Sequence, residues 1–181
     1  MGLVYIKGIL IRGNRLVDDR KELVKIRGRQ TGDSTINCVY FDAATAQVVH
    51  HYSGSTAEEL AVHTAEWRLL MGKLPADGNA VVVCPISEAG HWTVLFLHRQ
   101  AGAWHASYHE SLKAPGSASC RVKAAVLLSV ICALLMPDQP ALAMPDTLHH
   151  REQGDAWSCG YHVVARMDEA YAQAFGLDIS H

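Results

Sequence analysis

Three apolar, strand-like runs lie close together in the middle of the sequence, and only a few residues separate them. The run AVVVCPI, residues 80–86, is rich in β-branched residues, as is typical of a buried strand. HWTVLFLH (91–98) follows after the link SEAG, and WHASYHESL (104–112) follows after the link QAGA. Because short links that contain glycine join antiparallel neighbours, the three runs predict a β-meander at the centre of the fold.

Helical patterns flank this predicted meander on both sides in the sequence. Thr56–Met71 begins with a capping Thr or Ser, carries two glutamates in its first turn and has apolar residues at helical spacing. Arg121–Met136 is apolar almost all round, which predicts a buried helix, and a last helix begins at Cys159 and ends at Gly176. Further short strands are predicted at 1–12, 36–41 and 147–153. The order predicts an α+β fold with a mixed or antiparallel sheet flanked by helices.

Length, charge and cysteine usage narrow the class of protein. The 181 residues, 49% of them hydrophobic, predict one globular domain over 1–181, which we expect to be a monomer. A formal net charge of -2 argues against nucleic acid as a partner. The most apolar run, 124–136, is shorter than the roughly 20 residues that span a bilayer, so we expect no membrane span. Five scattered cysteines without a CxxC pair, and no signal-like N-terminus, predict a reducing, cytoplasmic location.

Cys159 is the first residue with a chemical role to consider, because it lies where the last helix is predicted to begin. The positive end of a helix dipole favours a thiolate there, yet a free cysteine is more often a small buried hydrophobe, and its position alone leaves both interpretations open. A nucleophilic thiol also needs a base. His91 opens one strand of the predicted hairpin and Glu110 ends the next, so an antiparallel pairing makes them neighbours.

Three blocks of the sequence, GHWTVLFLH, SYHESL and QGDAWSCGYHV, resemble the clan CE cysteine peptidases. These are the Ulp/SENP-type proteases that process SUMO and related modifiers, with adenain and bacterial effectors as relatives. In this family His-Trp opens a strand, as His91 does here, and an acid before Ser-Leu ends the next, as Glu110 does. A Gln stands six positions before the Cys, as Gln153 stands before Cys159. The blocks lie within 81–164.

The resemblance implies a papain-like fold and a role for each matched residue. Cys159 would be the nucleophile, His91 the general base and acid, and Glu110 the group that orients His91. Gln153 and the backbone N–H of Cys159 would bind the oxyanion. Trp92 would form one wall of a narrow slot that admits the Gly-Gly tail of the substrate, and Gly160 would leave room for the substrate to approach closely.

The chain also departs from the family. The Ulp/SENP proteases have Asp at the position of Glu110, whereas adenain and the YopJ-type acetyltransferases have Glu. Residues 1–75 diverge and are a candidate region for substrate recognition. No counterpart of a second substrate-clamping Trp is found, and we expect Trp67 to be a core aromatic on its helix.

The resemblance implies a cysteine peptidase that cleaves after the C-terminal Gly of ubiquitin or a ubiquitin-like modifier of the SUMO and NEDD8 class, without a cofactor. Two alternatives use the same surface: a YopJ-type acetyltransferase with the same triad, and a ubiquitin-like-binding module without activity. A metal site is a third alternative, built from His105, His109 and Glu110, or from His149-His150 and Cys159; we expect no metal. A bacterial effector acting in a host cell is one setting for such a chain.

Overall fold

Five strands form one mixed sheet in the computed structural model of the chain, which describes residues 38–112, 117–149 and 159–175. They are β1 (Cys38–Tyr40), β2 (Ala80–Glu88), β3 (His91–Gln100), β4 (Ala103–Glu110) and β5 (Thr147–His149), and they lie in the order β1-β2-β3-β4-β5. Strands β2, β3 and β4 are antiparallel, while β1 and β5 run parallel to their neighbours. The predicted meander is confirmed, and the strand predicted at 1–12 lies outside the described residues.

The two hairpin turns of the meander have the same backbone geometry. Ala89 and Gly90 join β2 to β3 with φ values of 50° and 81°, and Ala101 and Gly102 join β3 to β4 with 49° and 81°. Two successive residues with positive φ give a turn whose twist matches that of the strands it joins. The first turn pairs Glu88 with the residue that opens β3 and so fixes the register of that hairpin.

Five helices lie in the described residues: α1 (Ala43–His51), α2 (Ala57–His63), α3 (Ala65–Met71), α4 (Ala118–Leu135) and α5 (Cys159–Phe175). The prediction of a single helix over Thr56–Met71 is wrong, because the helix is interrupted at Thr64. The Thr64 backbone has ψ near 4°, and its hydroxyl donates to the carbonyl of Leu60 at 2.8 Å. Such back-bonding bends helices, and here it accompanies a complete break.

The helices cover both faces of the sheet unequally. Among the helices of the described residues, α5 packs on one face, against β2 and β3, whereas α1 and α4 contact β2 from the other face. Side chains alternate along each strand, so each of the two cores takes every second residue of the meander. Trp67 is fully buried in the larger core and stacks on Phe41 with ring centroids 4.3 Å apart, as expected of a core aromatic.

Helix α4 is apolar and long. Its 18 residues pass a length and composition test for a membrane-spanning helix, but 44% of that stretch is buried inside the domain, against the sheet and against α1 and α3. A core helix of a globular domain has the same composition. It begins at Ala118 after an N-cap at Ser117, three residues before the predicted start.

Candidate active site

His91 and Glu110 meet at one end of the central hairpin. His91 is the first residue of β3 and Glu110 is the last residue of β4. Nε2 of His91 lies 2.5 Å from Oε1 of Glu110, and the two residues are 9% and 4% exposed. The predicted contact between these two side chains is therefore present in the structure.

Both carboxylate oxygens of Glu110 are engaged. While Oε1 faces His91, Oε2 accepts a hydrogen bond of 2.9 Å from the backbone N–H of Ser117, the N-cap of α4. Burial by itself would raise the pKa of Glu110, but the hydrogen bonds from His91 and Ser117 outweigh it and hold the pKa below its ordinary value. The carboxylate is thus ionised at neutral pH and fixed in orientation at a helix N-terminus.

Cys159 is the first residue of α5 and is 2% exposed. Burial would raise the pKa of its thiol. Hydrogen bonds with the His91 side chain and with the backbone of Trp92 and Gly160 reverse this and lower the pKa. Since Nε2 of His91 is taken by Glu110, Nδ1 is the ring nitrogen left for the sulfur. The start of a helix is also an electropositive position that favours a thiolate.

His91 lies between an acid and a thiol, and both partners favour its charged form. Burial alone would lower the pKa of His91, but hydrogen bonds with Cys159 and Glu110 raise the pKa to about 9. At neutral pH the imidazole is therefore protonated beside a thiol whose own pKa is lowered. This arrangement supports a thiolate–imidazolium pair, which supplies a nucleophile and a proton donor at one place.

The other four cysteines lack this environment. All are buried, and none is in a disulfide. Burial raises the pKa of the Cys38 thiol and of the Cys120 thiol, and raises that of Cys84 to about 12. Cys159 differs from Cys38, Cys84 and Cys120 in that its pKa is lowered. The structure thus separates one activated thiol from packing thiols.

Trp92 and Gly160 are neighbours of the thiol, since the backbone of each forms a hydrogen bond with it. Trp92 is 2% exposed and belongs to the core between the sheet and α5. A Cβ added to Gly160 would lie 3.9 Å from Cδ1 of Trp92, which is an ordinary van der Waals contact. The indole therefore packs against the first turn of α5, and roles for these two residues in substrate binding stay predictions. Gln153 lies outside the described residues, so its role as an oxyanion donor stays a prediction as well.

A metal at this site would need donors that converge. Within the ranges that the structure describes, no group of three His, Cys, Asp or Glu residues is placed to hold a metal ion. The alternation of strand β4 puts His105 and His109 on one face and Glu110 on the other, where it contacts His91. His150, in the second candidate set, lies outside the described residues.

The structure adds supporting residues that the sequence interpretation missed. Ser117 holds the second oxygen of Glu110, and Cys120 and Lys123 contact the turn before His91. For Ser117 a signal was present, because a Ser that precedes an apolar helical run is a common N-cap. The sequence has no comparable signal for Lys123, since its burial depends on the packing of three elements.

Comparisons with known proteins give similarity in structure but not in sequence. No protein-family model and no curated protein matches the chain. The C-terminal Ulp1 protease domain, solved in complex with Smt3, the yeast ortholog of SUMO, is similar to 82% of the chain with a TM-score of 0.52 and 15% identity. A de-sumoylating protease is similar to 91% of the chain with a TM-score of 0.58 and 12% identity.

The chain has the fold of the Ulp1-type SUMO proteases. The fold class predicted from the sequence is therefore confirmed. The chain spans 62% and 63% of the length of these two solved structures. At these identities the similarity is one of fold, and the chemistry that the chain can perform depends on its own residues.

Proposed function

We propose that this chain is a cysteine peptidase that hydrolyses the bond after the C-terminal Gly of a ubiquitin-like modifier. The observation that carries the proposal is the hydrogen-bonded series Glu110, His91 and Cys159, in which His91 is held on one side by a fixed carboxylate. A thiol with a lowered pKa, a base and a group that orients the base are the three parts that nucleophilic catalysis by cysteine requires.

Acylation begins at the Cys159 sulfur. The thiolate adds to the carbonyl carbon of the terminal Gly, and the electron pair of the C=O bond moves onto oxygen. The backbone N–H of Cys159, with Gln153 as the predicted second donor, stabilises this oxyanion; loss of one such donor typically costs about 100- to 1000-fold in rate. The tetrahedral intermediate collapses as the C–N bond breaks, and His91 gives its proton to the leaving amine.

Deacylation reverses the role of His91. After the amine leaves, His91 is neutral and accepts a proton from water, whose oxygen attacks the thioester carbonyl. The C–S bond breaks and the electron pair returns to sulfur, which restores the thiolate beside the imidazolium, while the released Gly carboxylic acid gives its proton to solvent. Glu110 stays ionised throughout and keeps the ring in the orientation that both steps use.

The similarity of fold supports a protein substrate of the ubiquitin-like class. One of the similar solved structures, the C-terminal Ulp1 protease domain, is in complex with the yeast ortholog of SUMO. A reducing compartment suits a catalytic thiol, and all five cysteines are free. We propose a cytoplasmic location, in the protein's own cell or in a host cell.

The test uses ubiquitin, SUMO and NEDD8 whose C-terminal Gly carries an electrophile. We expect the purified chain to form a covalent adduct with at least one of them and expect Cys159→Ala to form none. Replacing His91 with Ala should slow adduct formation by at least about 100-fold, because general acid–base catalysis contributes that much. Mass spectrometry of the intact protein measures the adduct.

Cys84→Ala is the matched control, since it removes a buried thiol whose pKa is raised, and it should react like the wild type. An adduct that persists in Cys159→Ala would contradict the proposed nucleophile. No adduct with any modifier, together with acetylation of Cys159 by acetyl-CoA, would identify the acetyltransferase instead. Tight binding of a modifier without any covalent product would identify a binding module.

A further inference from the structure

Lys123 is a buried lysine in α4 that the proposed chemistry does not use. Its side chain is 2% exposed. Nζ donates to Oε1 of Gln47 on α1, to the carbonyl of Ser87 at 2.7 Å, and to Oε2 of Glu88 at 3.1 Å. These contacts use all three N–H groups of the ammonium. A lysine buried this completely is rare and requires such partners.

The partners of Lys123 lie at the turn that leads to the catalytic histidine. Ser87 and Glu88 are the last residues of β2, and Glu88 pairs in register with His91 across the two-residue turn. The turn has positive φ at both central positions, and at Ala89, which is not a glycine, this is a sparsely populated conformation that surrounding contacts must hold. Lys123 holds the β2 end through one backbone and one side-chain contact.

Cys120 of α4 and Ser117, the N-cap of α4, also contact residues around His91 and Glu110. The Cys120 thiol lies 3.8 Å from the carbonyl of Glu88 and 3.9 Å from that of His91, while the Ser117 N–H holds Glu110. The spacing of Ser117, Cys120 and Lys123 is three residues at each step, which puts them along one face of the helix. This side of α4 therefore contacts the residues that precede His91 and also the carboxylate of Glu110.

We infer that Lys123 is a positioning residue, which ties the β2–β3 turn to α1 and α4 and thereby holds His91 between Glu110 and Cys159. The inference deepens the proposed peptidase function and rests on it. An apolar side chain of similar length would fill the same volume without the cost of burying an ammonium. The specific contacts with Ser87 and Glu88 are what the lysine adds.

The test replaces Lys123 with Met, which keeps the length of the side chain and removes the three donors. We expect kcat/KM for a modifier with a C-terminal reporter to fall by about 100-fold, mainly through kcat, because small misplacements of a catalytic group cost that much. The contacts with Cys159 and Glu110 raise the pKa of His91 to about 9, and we expect the NMR titration midpoint of the imidazole to be lower in Lys123→Met than in the wild type. His91→Gln identifies the resonance.

Ile131→Ala is the matched control, because Ile131 is a fully buried residue further along the same helix and contacts the core instead of the turn. It should lower the free energy of unfolding without moving the titration midpoint. Glu88→Ala is a second variant, since the Glu88 side chain is 34% exposed and lies outside both cores, and Lys123 keeps its contacts with Gln47 and Ser87. We expect it to lower kcat/KM by about tenfold, since it removes one anchor of three.

The titration needs no substrate, so it separates this inference from the proposed function. A wild-type midpoint in folded Lys123→Met would overturn the positioning role even if the chain proves to be a peptidase. Should Lys123→Met fail to fold, Glu88→Ala decides alone, and a wild-type midpoint and kcat/KM in that variant would overturn the inference. A lowered midpoint in a chain without peptidase activity would support the positioning of His91 and refute the proposed function.

Discussion

At the scale of single residues, Glu110, the proposed acid partner of His91, shows how a Glu is accommodated where the Ulp/SENP proteases have Asp. Glu110 reaches His91 with one oxygen and the N-terminus of α4 with the other. Both contacts depend on the length of the side chain from the end of β4. The Glu thus links the sheet to α4 in addition to orienting the imidazole.

The pH dependence of activity follows from this contact. With Glu110→Gln we expect the alkaline limb of the kcat/KM profile, set in the native protein by His91 at about 9, to move to lower pH. The reason is that Glu110 raises the pKa of His91, so its loss lets the imidazolium lose its proton sooner, and the leaving amine then lacks its acid. At neutral pH, kcat/KM should fall on the order of 100-fold.

Glu58→Gln provides the control for this profile. Glu58 is an exposed glutamate in the first turn of α2, so its replacement changes the net charge equally and leaves the site untouched. Its alkaline limb should coincide with that of the wild type. An unmoved limb in Glu110→Gln would show that Glu110 does not set the protonation of His91.

The sequence predicted His91 and Glu110 as neighbours because antiparallel pairing and turn length follow local rules. It did not predict the neighbours that fix them. In the sequence, Lys123 has no feature that distinguishes it from an exposed helical lysine. It becomes buried because α1, α4 and the end of β2 pack together around its side chain. Long-range packing of this kind has no signature in a single sequence.

At the scale of elements, the two turns of the meander form a natural matched pair. Gly90 and Gly102 share a φ of 81°, and an added Cβ would meet nothing within 4 Å at either position. Substitution by Ala at either glycine therefore introduces backbone strain without a steric clash. The two positions differ in that Gly90 directly precedes His91.

We expect Gly90→Ala and Gly102→Ala to lower the free energy of unfolding equally, by about 1–2 kcal/mol, because both force an L-residue into the left-handed region. Only Gly90→Ala should also lower kcat/KM, by about tenfold, as the strained turn relaxes by shifting His91. Urea unfolding and steady-state kinetics measure the two effects. Equal activities of the two variants would refute the coupling between turn and site.

Secondary structure was predictable where local signals were strong. The Thr56–Glu59 capping box marks the start of α2, and the β-branched runs mark β2 and β3. Helix α1 was missed because it buries only Ala46 and Val49, so it lacks a clear apolar stripe. The break at Thr64 was missed because one threonine within a helical pattern is seldom decisive.

At the scale of the whole molecule, the surroundings of the buried thiols, and not burial alone, divide them into two kinds. Sheet strands β1 and β2 carry Cys38 and Cys84 into the two cores, and α4 carries Cys120 next to the site. Burial raises the pKa of all three, whereas Cys159 at a helix start has its pKa lowered. The opposite shifts have opposite effects on how stability depends on pH.

A buried thiol makes the fold sensitive to alkali. Above about pH 8.5 the thiols of the unfolded chain lose protons that the folded chain keeps, so stability falls as pH rises, by about 1.4 kcal/mol per pH unit for each such group. The pKa of Cys84 is raised to about 12, so this group contributes its full share of the decline in stability until the folded thiol itself ionises.

In reducing buffer, Cys84→Ala should therefore flatten the decline in the free energy of unfolding by about 1.4 kcal/mol per pH unit between about pH 9.5 and 11. Val83→Ala, a fully buried truncation at the adjacent position of the same strand, should lower stability at every pH and keep the slope of the wild type. Identical slopes in the two variants would mean that Cys84 does not hold its proton in the folded protein.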